Sequence, residues 1–179
     1  ATDDAFVDAA AGNSAAQGIA PGSYSLRSEM SGEAAVALML DPASRVVKKV
    51  VVPEGWRFER TVAAAAKGTG LSEDALRESL SRAGSLGLPA YAEGNPEAFL
   101  FPATYEFQPD VTADTVVKTM IGRFDQAAAD LDLETAAAAR GLDPLQVVTV
   151  ASLLEGEVAP SDYGKAARAI YNRLNKGMR

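Results

Sequence analysis

The sequence predicts an α+β protein, in which a small β-α-β unit is followed by a mostly helical region with short extended pieces. Three observations carry that expectation. Residues 45–52 are dense in β-branched side chains and are stopped by Pro53-Glu54-Gly55, as a strand would be. Between this run and the turn at Pro21-Gly22, Ala35, Leu38 and Met39 recur at helical spacing behind Ser31, a good N-cap. From Trp56 onward, apolar residues return every three or four positions in successive segments, interrupted by an aromatic cluster at 99–107.

Taken in order, residues 1–18 read as a mobile Ala- and Gly-rich lead-in, in which Phe6, Val7 and Ala10 could form one helical turn. Residues 19–55 form the first structured part. Pro21-Gly22 turns into a short strand with Tyr24 and Leu26 on one face, a helix follows and ends at Asp41-Pro42, and the β-branched strand closes the unit. The simplest arrangement is two neighbouring strands covered by one helix.

Residues 56–179 make the second part. Phe58, Val62 and either Ala65 or Ala66 share a helical face that ends at Gly68 and Gly70, and Ser72 starts the next helix with Leu76 and Leu80 inward. Residues 84–98, rich in Gly, Pro and small polar residues, read as loop. Phe99, Phe101 and Phe107 suit a core, whereas Thr104 and Tyr105 could present hydroxyls to a cleft. Thr112 caps a long amphipathic helix carrying Val116, Val117, Met120, Ile121 and Phe124, and a short Ala-rich helix at 133–139 is closed by Gly141. Asp143-Pro144 is a cap followed by proline at the first helical position. Val147, Val148, Val150, Leu153 and Leu154 then lie all round the wheel, so this helix is expected to be buried. It runs into Glu155-Gly156-Glu157, and Pro160 limits its extension. Ser161 or Asp162 caps a last helix with Tyr163, Ala166, Ile170, Tyr171 and Leu174 inward, ending at Gly177.

Composition removes whole classes of chemistry. Seventeen basic against 24 acidic residues give a net charge of −7, and no basic run tracks a phosphate backbone, which argues against nucleic acid as a partner. Without cysteine there is no disulfide or thiolate chemistry. Without histidine there is no Ser-His-Asp or Cys-His catalysis and no His-ligated zinc. Carboxylate, lysine and tyrosine remain for proton transfer. No apolar run reaches membrane-spanning length and no signal peptide is visible; the start at Ala1 without a Met reads as a fragment, from which an anchor could have been removed.

Glu155 and Glu157 are two residues apart: they diverge on a helix, and they share a face on a strand only if the chain is regular there, which Gly156 disfavours, so they are not a ready facing pair of an ordinary glycosidase. Ser152 has no base at helical spacing, and Lys165 sits in solvated surroundings. Glu155 alone, at the lip of an apolar helix, suits a general acid, because desolvation favours a protonated carboxyl. The plainer reading of a glutamate at a helix end is a surface residue.

Four motifs in order resemble the endolytic murein transglycosylases of the YceG-like family. They are Pro21-Gly22-Ser23-Tyr24 with the Val50-to-Gly55 junction, the 97–107 segment from Glu97 to Phe107, Ala151-Ser152-Leu153-Leu154-Glu155-Gly156-Glu157, and the 169–178 segment containing Asn172-Arg173-Leu174. The resemblance spans residues 19–179. It implies a LysM-like subdomain over 19–55 and the N-terminal part of a catalytic domain over 56–179, incomplete because the family continues beyond Met178. It also implies an N-terminal membrane helix, absent here, that holds such proteins at the outer face of the bacterial cytoplasmic membrane.

By the same resemblance, Glu155 is the catalytic acid. Glu157, Asn172, Thr104 and Tyr105 are the candidate substrate-binding residues, while Arg173 ties its helix to neighbouring acids and Tyr171 belongs to the apolar stripe. No metal and no cofactor is required. The implied substrate is the glycan strand of peptidoglycan, with cell-wall synthases or division proteins as possible partners. Two positions depart from the family: Ala98 replaces its usual Gly and Ala103 its usual Asp. Outside catalysis, the same residues fit a peptidoglycan-binding or scaffold module, or an exported helical adaptor that touches no glycan.

Overall fold

The computed structural model describes residues 2–177. Eight α-helices and two short strands are found among them: α1 Asp3–Ala11, α2 Gly32–Leu40, β1 Lys48–Val51, α3 Phe58–Thr69, α4 Glu73–Ser81, β2 Thr104–Phe107, α5 Ala113–Asp130, α6 Leu133–Ala138, α7 Pro144–Glu157 and α8 Tyr163–Asn175. The chain is therefore mostly helical with a two-stranded β1–β2 sheet, consistent with an α+β class. It divides into two compact units, Ala1–Lys49 with Glu106–Val111, and Val50–Tyr105 with Thr112–Arg179.

In the first unit, the expected lead-in is a helix. Thr2 caps α1, and the helix packs on α2. Gly32 permits the approach: a Cβ there would lie 1.9 Å from the Ala5 carbonyl oxygen, far inside contact distance. Mostly exposed side chains hid this helix from the apolar pattern, since backbone proximity rather than a broad apolar face holds it. Ser31 caps α2 as expected, by accepting from the Ala34 N–H, and Ala35 and Val36 are buried. The expected strand at Tyr24 is reduced to a single antiparallel bridge with Arg45, extended by the Ser25 N–H to the Ser44 carbonyl and the Val46 N–H to the Ser23 carbonyl. The side chain of Gln108 accepts from the Ser23 N–H and so joins the returning segment to this bridge. The partner strand of β1 is thus β2, more than fifty residues on, and not the neighbouring Tyr24 segment.

The second unit has its core where α3, α4 and α5 meet. Val62, Ala65, Leu76, Leu80, Val116, Val117, Met120 and Ile121 are buried there, matching the helical faces read from the sequence. Ser72 and Thr112 cap α4 and α5, and Gly70 ends α3 in the left-handed conformation. The buried Ser79 hydroxyl donates to Asp114, which also receives both terminal nitrogens of Arg82. This connection locks α4 to the first turn of α5 without leaving the hydroxyl orphaned.

Residues 97–105 form a belt along this core. The Glu97 carboxylate accepts from the Phe58 N–H and so caps α3, whose own N-cap residue supplies no side-chain bond. Phe99 is fully buried, with its ring edge-on to Phe124 at 4.7 Å and tilted against Tyr91 at 5.9 Å. Arg123 lies over the ring of Phe101. Between Glu97 and Phe99, Ala98 adopts φ +71°, the left-handed region in which a Cβ is strained. The glycine usual in the resembling family suits this backbone. Ala98→Gly is expected to raise stability by about 0.5–1 kcal/mol, relief of strain outweighing the added freedom of the unfolded chain. Urea unfolding would check this, and a lower midpoint would refute the strain.

Candidate active site

The Asp143-Pro144 start of α7 forms as read, and it goes further. The Asp143 side chain accepts from the Leu145 N–H, while the Gln146 side chain accepts from the Asp143 N–H. This reciprocal cap satisfies donors at both positions and sets where the helix begins. The helix then continues through Glu157, so both acids of the signature are helical. At 100° per residue, two positions separate them by roughly 200°. Glu157 falls on the side of Val150 and Leu154, and Glu155 on a different face, as expected for acids that do not act as a facing pair.

The burial expected for α7 is not found. Val150 is its one buried residue, and Leu153 is 50% exposed. The helix packs against α6, α8 and the turn at Ala90–Ala92, and not chiefly against the α3–α5 core. An apolar wheel reports what a helix would bury if surrounded, whereas burial requires neighbours on every side. Glu155 and Glu157 are accordingly exposed, and the dry surroundings expected for Glu155 are not supplied by the described residues. Among those residues, no hydrogen bond or ion pair engages the side chains of Glu155, Glu157 or Asn172.

Pro160 opens a short turn that redirects the chain into α8, which packs on α7. The signature acids and the Asn172-Arg173-Leu174 element thus stand on adjacent, packed helices. Asp162 occupies the N-cap position of α8 but its carboxylate receives Lys165 and not a backbone N–H. Tyr171 is half-buried on the expected stripe, Asn172 and Arg173 are exposed, and Leu174, expected inward, is 46% exposed. Met178, the last residue of that motif, lies outside the described residues.

Thr104 and Tyr105 alternate across β2. Thr104 is exposed, whereas Tyr105 is buried and its hydroxyl donates to the Phe101 carbonyl. Tyr105 is therefore a tie between β2 and the preceding belt and does not offer its hydroxyl to a cleft. The alternation that made Tyr105 conspicuous is the same signal that marks a core-facing strand residue. Burial pushes the Tyr105 hydroxyl up to about 12, against the opposing influence of Arg123. An unfolded tyrosine ionises near pH 10. The folded value is raised, so the stability contributed by the neutral phenol is complete below about pH 10 and is lost as the pH rises through about 12. In an alkaline titration followed by phenolate absorbance, Tyr105→Phe should remove a component near pH 12; removal of one near pH 10 would contradict this burial.

Sequence reasoning passed over a cleft between the end of α5, the start of α6 and the loop carrying Tyr91. Asp132 and Glu134 sit at the start of α6, where carboxylates ordinarily serve as caps, and Asp125 lies within α5, so residue type alone carried no signal.

Comparison with known proteins places these features in context. The YceG-like family model matches residues 1–179. Two relatives named endolytic murein transglycosylase, from Streptococcus pneumoniae strains R6 and D39, are 26% identical over 188 residues and 25% identical over 187. Each alignment covers 88% of this chain and 33% of the relative, so the chain spans about a third of their length. The crystal structure of a YceG-like protein from Listeria monocytogenes superposes with a TM-score of 0.65 at 21% identity, covering 92% of this chain and 59% of that one. At that identity the likeness concerns the fold.

Proposed function

Because this chain belongs to the YceG-like family, we propose that it is part of an endolytic peptidoglycan lytic transglycosylase, with Glu155 as its acid and then its base. The observation that carries the reading is the position of the signature: Glu155 is solvent-accessible on the last turns of α7, beside α8 with its Asn172 element, in a chain without histidine or cysteine. A lyase of this kind needs one proton-transfer group. The carboxyl protonates the oxygen linking N-acetylmuramic acid to N-acetylglucosamine, and the C1–O bond breaks. The muramic C6 hydroxyl attacks C1 and gives its proton to the carboxylate, which closes a 1,6-anhydro ring and restores the acid. Water does not enter the product, so a second carboxylate to activate it is unnecessary. No step uses a metal or cofactor.

Glu157, Asn172 and Thr104 are exposed and able to meet sugar hydroxyls; Tyr105 supports the site through the belt. In this reading, residues 19–55 act as the LysM-like, glycan-holding part. The protein works at the outer face of the cytoplasmic membrane through an anchoring helix, close to cell-wall synthases or division proteins. The exposure of Glu155 favours a second reading, a peptidoglycan-binding or scaffold module without catalysis. Mass spectrometry of nascent, uncrosslinked glycan strands separates the two. The experiment uses this chain and a form extended to the length of its curated relatives. Internal cuts bearing 1,6-anhydro ends support the lyase; glycan retained intact by both forms would replace it with the binding module.

A further inference from the structure

The chain separates its charges along its length. All 24 acidic residues and 12 of the 17 basic ones precede Tyr163, so residues 1–162 carry −12 and residues 163–179 carry +5. Lys165, Arg168 and Arg173 stand on α8 and Lys176 at its C-cap, and all are exposed. Lys165 meets Asp162 at 3.1 Å. Arg168, Arg173 and Lys176 have no side-chain hydrogen bond or ion pair among the described residues. Helix stability does not ask for this arrangement. The first turn of α8 holds no acidic side chain, although the dipole favours one there, and it holds Lys165 instead.

At 100° per residue, Lys165, Arg168 and Lys176 all fall within about 40° of Asn172, in one row about 16 Å long. Asn172 is bracketed by Arg168 four residues before it and Lys176 four residues after it. Ile170 and Leu174 lie on the opposite side of the helix, about 160° from Asn172. We propose that this row binds the carboxylates of the peptide stems that the glycan strand carries, on either side of the sugar met by Asn172. The match is one of charge and hydrogen-bonding sign. Ammonium and guanidinium groups only donate, so carboxylate oxygens use them fully, whereas sugar hydroxyls bring donors as well. The row has no large apolar side chain to insert into lipid, as a helix lying in a membrane interface would. The inference rests on the reading of peptidoglycan as ligand and of Asn172 as a residue that meets it; it does not require catalysis.

The test follows the anisotropy of dye-labelled, uncrosslinked glycan strands titrated with this chain and with a form extended to the length of its curated relatives. Both proteins carry Glu155→Gln, which keeps the strands uncut. One batch of strands has free stem carboxylates and the other has them converted to methylamides, with the stem amines acetylated in both. The free-carboxylate strands are expected to bind about fivefold or more tightly, a preference lost in Arg168→Gln/Lys176→Gln and at about 0.5 M salt. A preference that survives the double substitution would overturn the proposal. Equal affinity for the two batches would overturn it and leave the glycan reading standing; binding of neither batch would overturn both. Phosphatidylglycerol vesicles bound in place of the strands, and released by the same double substitution, would make the row a membrane contact.

Discussion

Glu155→Gln, made in a form that spans the length of the curated relatives, is expected to lower the yield of 1,6-anhydro ends by about 100- to 10,000-fold, the range for removal of a general acid–base group. The substitution keeps size and polarity and removes the transferable proton. Glu155 is exposed and its side chain has no hydrogen-bond or ion-pair partner among the described residues, so the thermal midpoint should stay within the small range typical of surface changes. Loss of product with an unchanged midpoint therefore reports chemistry and not folding. Glycan retention should survive. A folded Glu155→Gln protein that still releases anhydro ends would remove Glu155 from the mechanism. Glu157→Gln serves as the comparison. It faces another side of α7, and a fall in apparent affinity with turnover maintained would assign it to binding.

Phe99→Ala has the largest expected effect on stability. Phe99 has no solvent exposure, touches the rings of Tyr91 and Phe124, and sits midway along the belt that caps α3 and leads into β2. Truncating it removes the apolar burial, the edge-to-face contact and the support of that belt, and leaves a void between α5 and the 90–92 turn. A loss of about 3–5 kcal/mol is expected. For a chain of this length that lowers the thermal midpoint by roughly 10 °C. Calorimetry or urea unfolding would measure it. A cost below about 1 kcal/mol would mean that neighbouring side chains collapse into the space and that Phe99 is not the centre of this core.

Local chemistry told truthfully where most helices begin and which face they bury. Ser31, Ser72, Thr112 and Asp143 each accept the backbone N–H that their residue type implies, because a short polar side chain and a helix terminus meet within a few residues. The faces of α3, α4 and α5 were equally legible, since their 3.6-residue pattern coincides with a packed interior. In the candidate site, the placement of Glu155 at the end of α7 and of Asn172 on α8 followed from the positions of two prolines and a cap, whereas Glu157, which the sequence left open between helix and loop, proves to be the last residue of α7.

Other features depended on residues distant in sequence. Helix α1 was hidden because its docking rests on the missing Cβ of Gly32, a property of a different segment. The pairing of the 45–52 run was legible only in part: its Arg45 end bridges Tyr24 antiparallel as expected, whereas β1 itself pairs with β2, more than fifty residues away, because pairing is chosen by long-range fit. Tyr105 turned inward to the Phe101 carbonyl because one register of β2 buries it and exposes Thr104. The apolar pattern of α7 signalled a capacity to be buried, but its neighbours determined that only Val150 is covered and that Glu155 meets solvent. Caps and periodicity are written within one or two helical turns and can be read there. Burial and strand pairing belong to the surfaces that tertiary packing brings together, and these are known only once the whole chain has folded.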